Sequence, residues 1–166
     1  MNIIVCVKQV IDTAARIELE HGRVNGTSLA RVLNPYDEFA VEEALRIRER
    51  KPNTKITLVS LGPENFRDAL RAGLAMGADN AVHLLDASFD ELDSLTTASL
   101  IAKAISFIGA DLIFCGRQAV DNDMAQTGPA IAVSLNIPCV TVVTKIDFSN
   151  DWEMATVTRE IEGGQE

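Results

Sequence analysis

The stretch Ile3-Ile-Val-Cys-Val7 decides the fold class of this chain, because it is a continuous and mostly β-branched apolar run only five residues long. Such a run is typical of a strand buried on both faces of a parallel sheet. Similar runs follow at residues 55–60, 81–85, 111–115 and 139–143. The sequence therefore predicts a mostly parallel core of five strands.

Segments with helical spacing of apolar residues separate these strands. Pro35 disfavours helix at Asn34, and the Asp37 carboxylate can accept from amides of the next turn, so a helix is predicted to begin here. Further helices are predicted over residues 66–75, 95–108 and 125–135. Strand–helix alternation of this kind is typical of right-handed βαβ units. We predict an α/β fold with a doubly wound, mostly parallel sheet and helices on both faces.

The remaining segments fit one domain, residues 1–166, without repeats or linkers. An exposed hairpin is predicted around His21-Gly22, and a last extended segment over residues 152–161. The sequence Arg159-Glu-Ile-Glu-Gly-Gly-Gln-Glu166 stops directly after a strand-like run, so we expect a domain truncated at its C-terminus.

Charge and hydropathy argue against binding to nucleic acids, insertion into membranes and secretion. Asp and Glu number 24 against 15 Lys and Arg, giving a net charge of −9. A field of that sign repels phosphate backbones and anionic lipids, so neither a nucleic acid partner nor membrane insertion is expected. The N-terminus lacks the basic flank of a signal peptide, and no apolar run reaches the ~18 residues that span a bilayer. We expect a cytoplasmic protein.

The residue types that carry common enzyme chemistry are sparse. Cys6, Cys115 and Cys139 form no CxxC pair and no metal-ligand cluster with the two histidines, so buried reduced thiols are favoured and no metal site is predicted. No nucleophile–base pair, Walker sequence, GxGxxG or GxSxG is present. We predict no catalytic residue, and a binding scaffold is favoured over a catalyst.

Ligands of open α/β sheets lie beyond the carboxyl ends of the strands. Small and polar residues gather there at residues 8–13, 34–37, 61–63 and 116–128. The helix start near residues 124–127 can donate amides to a phosphate, and Arg117 can add a positive charge. The composition of residues 116–128 is explained equally well by an ordinary loop without a ligand, in which Asp121 and Asp123 cap the next helix.

Five motifs in the same order along the chain resemble the β subunit of electron transfer flavoprotein. They are Val7-Lys-Gln-Val-Ile-Asp-Thr13, Leu33-Asn-Pro-Tyr-Asp-Glu-Phe-Ala-Val-Glu-Glu-Ala44, Ser60-Leu-Gly-Pro63, Ala75-Met-Gly-Ala-Asp79, and Cys115-Gly-Arg-Gln-Ala-Val-Asp121 with Gln126-Thr-Gly128. Arg159-Glu-Ile-Glu-Gly-Gly164 extends the match to nearly the whole chain. Two departures are that family members continue well beyond this point and that many carry Pro where Ile11 stands.

This resemblance implies a fold like the adenine nucleotide alpha hydrolases and a heterodimeric electron carrier that serves partner dehydrogenases. FAD is shared with an α subunit, and the β subunit's own pocket holds AMP, or a second FAD in bifurcating members. The implied cofactor-binding residues are Cys6, Asn34, Pro35, Tyr36, Asp37, Leu61, Gly116, Arg117, Gln118, Ala119, Val120, Asp121, Asn122, Asp123, Met124, Ala125, Gln126 and Thr127.

Two other functions compete with that of an electron carrier subunit. A stand-alone adenine-nucleotide-binding module, similar to universal stress proteins, suits the short chain. A small ATP hydrolase or ligase on the same scaffold needs a phosphate loop that the sequence does not contain.

Overall fold

The computed structural model describes residues 1–17, 19–20, 23–24 and 29–166. The strands are β1 (Asn2–Cys6), β2 (Gln9–Ile11), β3 (Leu19–Glu20), β4 (Arg23–Val24), β5 (Arg31–Leu33), β6 (Lys55–Gly62), β7 (Asn80–Leu85), β8 (Leu112–Cys115), β9 (Val143–Phe148), β10 (Ala155–Ile161) and β11 (Gly164–Gln165). The helices are α1 (Pro35–Arg50), α2 (Arg67–Met76), α3 (Ser94–Ile108) and α4 (Thr127–Leu135). Short 3-10 turns lie at Glu64–Phe66 and Ala87–Glu91.

Four parallel strands form the central sheet in the order β7-β6-β1-β8. The chain winds outward from β1 through β6 to β7, then returns to the other side of β1 as β8. Ile4 of β1 lies beside Thr57 of β6 and Ile113 of β8. The order reverses next to β1, and this reversal opens a crevice at the carboxyl ends of the strands.

Both faces of the sheet are covered by helices, which confirms the doubly wound α/β prediction. Ile3 and Val5 of β1 pack into a core with apolar residues of α1 and α2. Ile4 and Cys6 point to the opposite face and pack into a second core with α3 and α4. The continuous apolar run of β1 follows from this placement, because neither face of the strand meets water.

The predicted fifth parallel strand over residues 139–143 is wrong. Residues 139–142 form no strand, and Val143 instead begins β9, which pairs antiparallel with β10 in a separate sheet. Pro138 carries no amide donor, and Val142 has a φ of +58°, outside the extended region. With Pro138 before it and a positive φ at Val142, the segment 139–142 does not form a strand of the central sheet.

The smaller segments are close to their predictions. The predicted hairpin pairs Leu19 with Val24 and Glu20 with Arg23, and its turn at His21-Gly22 lies outside the described residues. The last extended segment becomes β10. No helix in the described part of the chain is long and apolar enough to cross a membrane.

The three cysteines are free, as expected, but they differ in burial. Cys6 is buried, Cys115 is partly buried and Cys139 is exposed. The expectation of a buried thiol is therefore wrong for Cys139, because the segment that carries it does not enter the central sheet.

Candidate functional site

A cleft of about 350 Å³ lies at the carboxyl ends of β1, β6 and β8. It is bordered by the segment that follows β1, by the end of β6, and by the long loop between β8 and α4. This is the crevice in which ligands of open α/β sheets bind.

The cleft brings together most of the residues that the sequence singled out. Those lining it are Cys6, Asn34, Asp37, Leu61, Gly116, Arg117, Gln118, Ala119, Asp121, Asn122, Met124, Ala125, Gln126 and Thr127. Those outside the lining are Pro35, Tyr36, Val120 and Asp123.

Asn34 ties the start of α1 to the long loop. Its side chain is 1% exposed. The side-chain amide donates to the carbonyl of Gln118 at 2.9 Å, and Oδ1 accepts from the amide of Val120 at 3.2 Å. Because its donors and acceptor already serve the protein, Asn34 positions the loop that forms one wall of the cleft.

Asp37 does not cap the first turn of α1 as the sequence suggested. The structure turns its carboxylate toward β1 and β8, where Oδ2 accepts from the backbone amide of Lys8 at 2.8 Å. The backbone of Gly116 and the side chain of Asn34 also lie near this carboxylate, and both act to lower its pKa. Three segments that are far apart in the chain therefore meet at one buried acceptor.

Burial raises the pKa of Asp37 to about 7, even though the donors around it and the nearby Lys8 charge act in the opposite direction. The carboxyl group is buried, and burial disfavours its ionised form. Asp37 therefore changes charge near neutral pH, directly beneath the cleft.

Gly116 is required by close packing against the start of α1. A Cβ at this position would collide with the Asp37 carboxylate and would lie 2.8 Å from the carbonyl carbon of Tyr36. The presence of glycine at residue 116 predicted that the backbone approaches a ligand closely at this position. In the structure, the group that approaches Gly116 closely is instead the start of α1. Any side chain at residue 116 would push the loop away from the start of α1.

The long loop enters α4 through backbone in the left-handed region. Asp123 has a φ of +51° and Ala125 a φ of +53°. Ala125 carries a Cβ in a conformation that costs about 1–2 kcal/mol relative to the right-handed one. This strained residue comes directly before Gln126, the N-cap of α4, which makes no side-chain cap hydrogen bond. No side-chain cap bonds the first amides of α4, and Gln126, Thr127 and Gly128 at this helix start line the cleft.

The proposed capping role of Asp121 and Asp123 is wrong. Asp121 forms an ion pair with Lys8, with Nζ 2.7 Å from Oδ2, and Asp123 accepts from the Gln118 side chain at 2.7 Å. Arg117, which the sequence offered to a phosphate, lies 3.4 Å from Glu160 on an exposed surface. The positive charges of Lys8 and Arg117 are therefore partly neutralised by these carboxylates. The backbone amides at the start of α4 are then the donors best placed to bind an anion.

Cys6 and Cys115 lie side by side on β1 and β8 at the floor of the cleft. The hydrogen bond that the Cys6 thiol donates to Cys115, together with burial, raises the pKa of Cys6 well above its usual range. The thiol form is thus retained, and Cys6 offers the ligand an apolar and polarizable surface. Among the described residues, no three His, Cys, Asp or Glu side chains converge as a metal site.

The sequence analysis missed one side of the cleft. Phe89, Leu92 and Ile101 line it, together with the hydroxyl residues Ser94 and Thr97. They come from the 3-10 turn after β7 and from α3. The rule that ligands lie beyond strand ends could have indicated the segment after β7 as well.

The cleft is also lined by residues within or close to the segments that the sequence analysis singled out. They are Val7, Lys8, Gln9, Arg31, Phe66, Cys115 and Gly128. The cleft lining thus combines apolar side chains, a thiol floor and an uncapped helix start, a combination that suits a nucleotide.

Comparison with known proteins identifies the family. Residues 23–166 match the electron transfer flavoprotein domain. The chain is 45% identical to the electron transfer flavoprotein subunit beta of Thermoanaerobacterium thermosaccharolyticum, a match covering 100% of this chain and 63% of the relative. It is 42% identical to the subunit of the same name from Megasphaera elsdenii, over 99% of this chain and 63% of that protein.

A relative with a different name is similar over the same length. The acryloyl-CoA reductase electron transfer subunit gamma of Anaerotignum propionicum is 40% identical over 99% of this chain and 62% of that protein. The chain thus spans just under two thirds of the length of these curated relatives. Given the domain match and these identities, the chain belongs to the electron transfer flavoprotein family, as its resemblance to the β subunits predicted.

Proposed function

We propose that this chain binds an adenine nucleotide in the cleft between β1 and β8 and serves as the nucleotide-binding part of an electron transfer flavoprotein β subunit. In that role it supports electron transfer from dehydrogenases through FAD shared with an α subunit, in the cytoplasm. The observation that carries the proposal is the cleft at the sheet's reversal point in a chain of this family.

The lining of the cleft offers one kind of surface for each part of a nucleotide. Phe89, Leu92 and Ile101 offer an apolar surface against which an adenine ring packs. At the start of α4, Gln126 and Thr127 present side chains beside the uncapped amides of the helix. A helix start carries about half a unit of positive charge, which acts at contact distance, whereas the net charge of −9 acts from farther away through screening solvent.

The size of the cleft favours a mononucleotide. Its volume of about 350 Å³ lies at the lower end of the range of about 300–1,000 Å³ for small-molecule sites. We therefore propose AMP as the ligand, with a second FAD as the competitor. A flavin would supply one- and two-electron chemistry in this cleft, whereas AMP would supply none and would act through structure.

The rest of the electron-transfer assignment rests on the names of the relatives. Their names place them in electron transfer, one of them in an acryloyl-CoA reductase. An α subunit and partner dehydrogenases are proposed here by that similarity, and the chain's own residues are assigned to holding and orienting the nucleotide.

Mass spectrometry of the small molecule released from the purified, denatured protein tests the proposal. Release of AMP or FAD, with calorimetric rebinding of the released compound at one site per chain, is the expected result. Calorimetry that finds no binding of AMP, FAD, ADP or ATP would overturn the nucleotide assignment. Co-purification with a flavin-bearing subunit separates the electron carrier from a stand-alone nucleotide-binding module.

A further inference from the structure

Two thiols lie in direct register at the floor of the cleft. Cys6 ends β1 and Cys115 ends β8, and the two residues are partners in the parallel pairing of these strands. Both side chains point to the same face of the sheet, because both pack with the core beneath α3 and α4. The Cys6 thiol donates a hydrogen bond to Cys115. Two residues far apart in the sequence therefore present neighbouring sulfur atoms to one cleft.

The spacing of the two strands permits a covalent bond between these sulfur atoms. Neighbouring strands lie about 4.8 Å apart, which falls within the range of about 4.4–6.8 Å between the Cα atoms that a disulfide joins. The Cβ atoms of a disulfide lie closer, at about 3.8 Å, so the bond draws the two strand ends together. A strained disulfide is reduced more readily than a relaxed one. The geometry therefore fits a reversible bond.

The two thiols differ in their access to solvent. Both line the cleft, but Cys6 is only 8% exposed and is buried, whereas Cys115 is partly exposed. The hydrogen bond and burial raise the pKa of Cys6, so that it stays a thiol at neutral pH. A small oxidant that enters the cleft therefore meets Cys115 first, with Cys6 beside it as the second thiol.

Cys139 is exposed but less well placed to react with Cys115. It lies in a segment without strand structure, so no pairing register fixes it beside β8. With Cys115 it lines a separate apolar groove, and it is not part of the cleft lining. Burial and the nearby Cys115 raise the pKa of Cys139. The structure therefore favours Cys6 over Cys139 as the partner of Cys115.

We propose that Cys6 and Cys115 form a dithiol modification site, which a peroxide that enters the cleft oxidises to an intramolecular disulfide. In the first step, the Cys115 thiol takes one oxygen atom from hydrogen peroxide, becomes a sulfenic acid and releases water. The Cys6 thiol then attacks that sulfur, the S–O bond breaks, and a second water leaves as the S–S bond forms. Two electrons pass from the thiols to the peroxide.

The disulfide changes the contacts at the start of α4. A Cβ on Gly128 would lie 3.3 Å from Cβ and 3.6 Å from Sγ of Cys115, so Cys115 packs against the first turn of α4. A bond to Cys6 draws Cys115 toward β1 and away from this helix start. Oxidation is therefore expected to weaken nucleotide binding, an effect that rests on the proposed function, whereas the modification site does not.

Mass spectrometry of the folded protein treated with hydrogen peroxide tests the modification site. The expected product has lost two hydrogen atoms and yields one cross-linked peptide pair that contains Cys6 and Cys115. Titration of free thiols should fall from three to one, and dithiothreitol should restore all three. Cys139→Ser is the control and should form the same disulfide, because Cys139 lies outside the cleft lining.

Two further variants separate the roles of the paired thiols. In Cys6→Ala the second thiol is missing, so dimedone is expected to trap the sulfenic acid of Cys115 at least tenfold more than in the parent chain. In Cys115→Ala the buried Cys6 is expected to stay reduced under the same treatment. The mapping in the parent chain and in Cys139→Ser leaves the pair itself intact, so it does not depend on how these two variants fold.

Two results would overturn the modification site. One is the absence of a disulfide from the folded, peroxide-treated protein, and the other is a disulfide that joins Cys115 to Cys139.

Calorimetry with AMP and FAD measures the effect of oxidation on the cleft. The oxidised protein is expected to bind the nucleotide at least fivefold more weakly than the reduced protein, and dithiothreitol should restore the affinity. Equal affinity of the two forms would overturn the effect on the cleft. If the reduced protein bound neither compound, the proposed function would fail, while the mapped disulfide would still decide the modification site.

Discussion

The carboxylate of Asp37, at the start of α1, accepts a hydrogen bond of 2.8 Å from the backbone amide of Lys8. Lys8 lies two residues after the end of β1 at Cys6. This bond joins the first crossover helix to the carboxyl end of the central strand. Gly116 packs directly against the same carboxylate. Asp37 therefore fixes the relative position of the two loops between which we place the nucleotide.

Asp37→Asn is expected to remove a pH dependence of stability. The pKa of Asp37 is raised to about 7 in the folded chain, so the folded state retains a proton that the unfolded state has released. Stability from this group is full below about pH 4 and is lost as the pH rises toward 7. Urea unfolding should show that the parent, relative to the variant, is less stable at pH 8 than at pH 5 by about 2–3 kcal/mol.

Asp111→Asn supplies the control for that measurement, since Asp111 also accepts a backbone amide, that of Asn2, but on an exposed surface. Its difference from the parent should stay constant between the two pH values. A difference between the parent and Asp37→Asn that is equally constant would show that Asp37 is ionised throughout.

Gly116→Ala is expected to destabilise the fold and the cleft together. The added Cβ would collide with the Asp37 carboxylate and the backbone of Tyr36. Overpacking of this kind typically costs about 1–3 kcal/mol. Denaturant unfolding measures this cost, and Gly164→Ala is the control because nothing lies within 4 Å of a Cβ there. An unchanged midpoint for Gly116→Ala would contradict the close packing.

Thr127→Ala and Gln126→Ala are each expected to weaken nucleotide binding by about 1 kcal/mol, the net value of a hydrogen bond. Both residues line the cleft at the start of α4. Isothermal titration with AMP and FAD measures the effect. Ser134→Ala, at an exposed position near the end of the same helix, should bind like the parent. Equal affinity of all three variants would mean that the phosphate lies elsewhere.

Phe89→Ala is expected to weaken AMP binding by about 1–3 kcal/mol, the range found for stacking of a base on an aromatic ring. Phe89 lines the cleft. Binding of inorganic phosphate, which has no base, should not change, and both ligands can be titrated calorimetrically. Phe107→Ala is the matched control, since Phe107 is 82% exposed on α3. A loss of AMP affinity in the control alone would refute this placement of the base.

Ala125→Gly is expected to stabilise the chain by about 0.5–1 kcal/mol, because glycine adopts the left-handed backbone of residue 125 without the strain of a Cβ. The gain is reduced by the greater entropy of glycine in the unfolded state. Thermal unfolding checks the sign. Ala130→Gly, inside α4, should instead lose about 1 kcal/mol of stability. Destabilisation by Ala125→Gly would contradict the strained loop entry.

The fold class could be predicted from the sequence because the signals for it are local. The apolar run of β1 requires cover on both faces, and residues with helical spacing between the strands provide that cover. Gly77 ends α2 with a φ of +126°, a left-handed conformation that glycine adopts without strain. The carboxyl edge of the sheet, and most of the residues that line the cleft, followed from the same alternation.

Partners at long sequence separation were decided only by the tertiary structure. The hydrogen bonds of the Asn34 side chain join residues that are 84 and 86 positions apart in the sequence. The hydrogen bond between Asp37 and Lys8 joins residues that are 29 positions apart. Periodicity reports which face of an element is apolar, but it does not report which polar atoms meet once the elements pack. For this reason the sequence placed Asp37 as a cap, and the structure made it the acceptor that holds two loops.

The sequence by itself determined the strands β1, β6, β7 and β8 and the helices between them, since backbone propensity and apolar spacing are properties of neighbouring residues. The tertiary structure decided that residues 139–142 stay outside the sheet and that Phe89 lines the cleft. An apolar run is equally compatible with a sheet strand and with the wall of a groove. Only the packing of the whole chain, including the positive φ at Val142, selects between them.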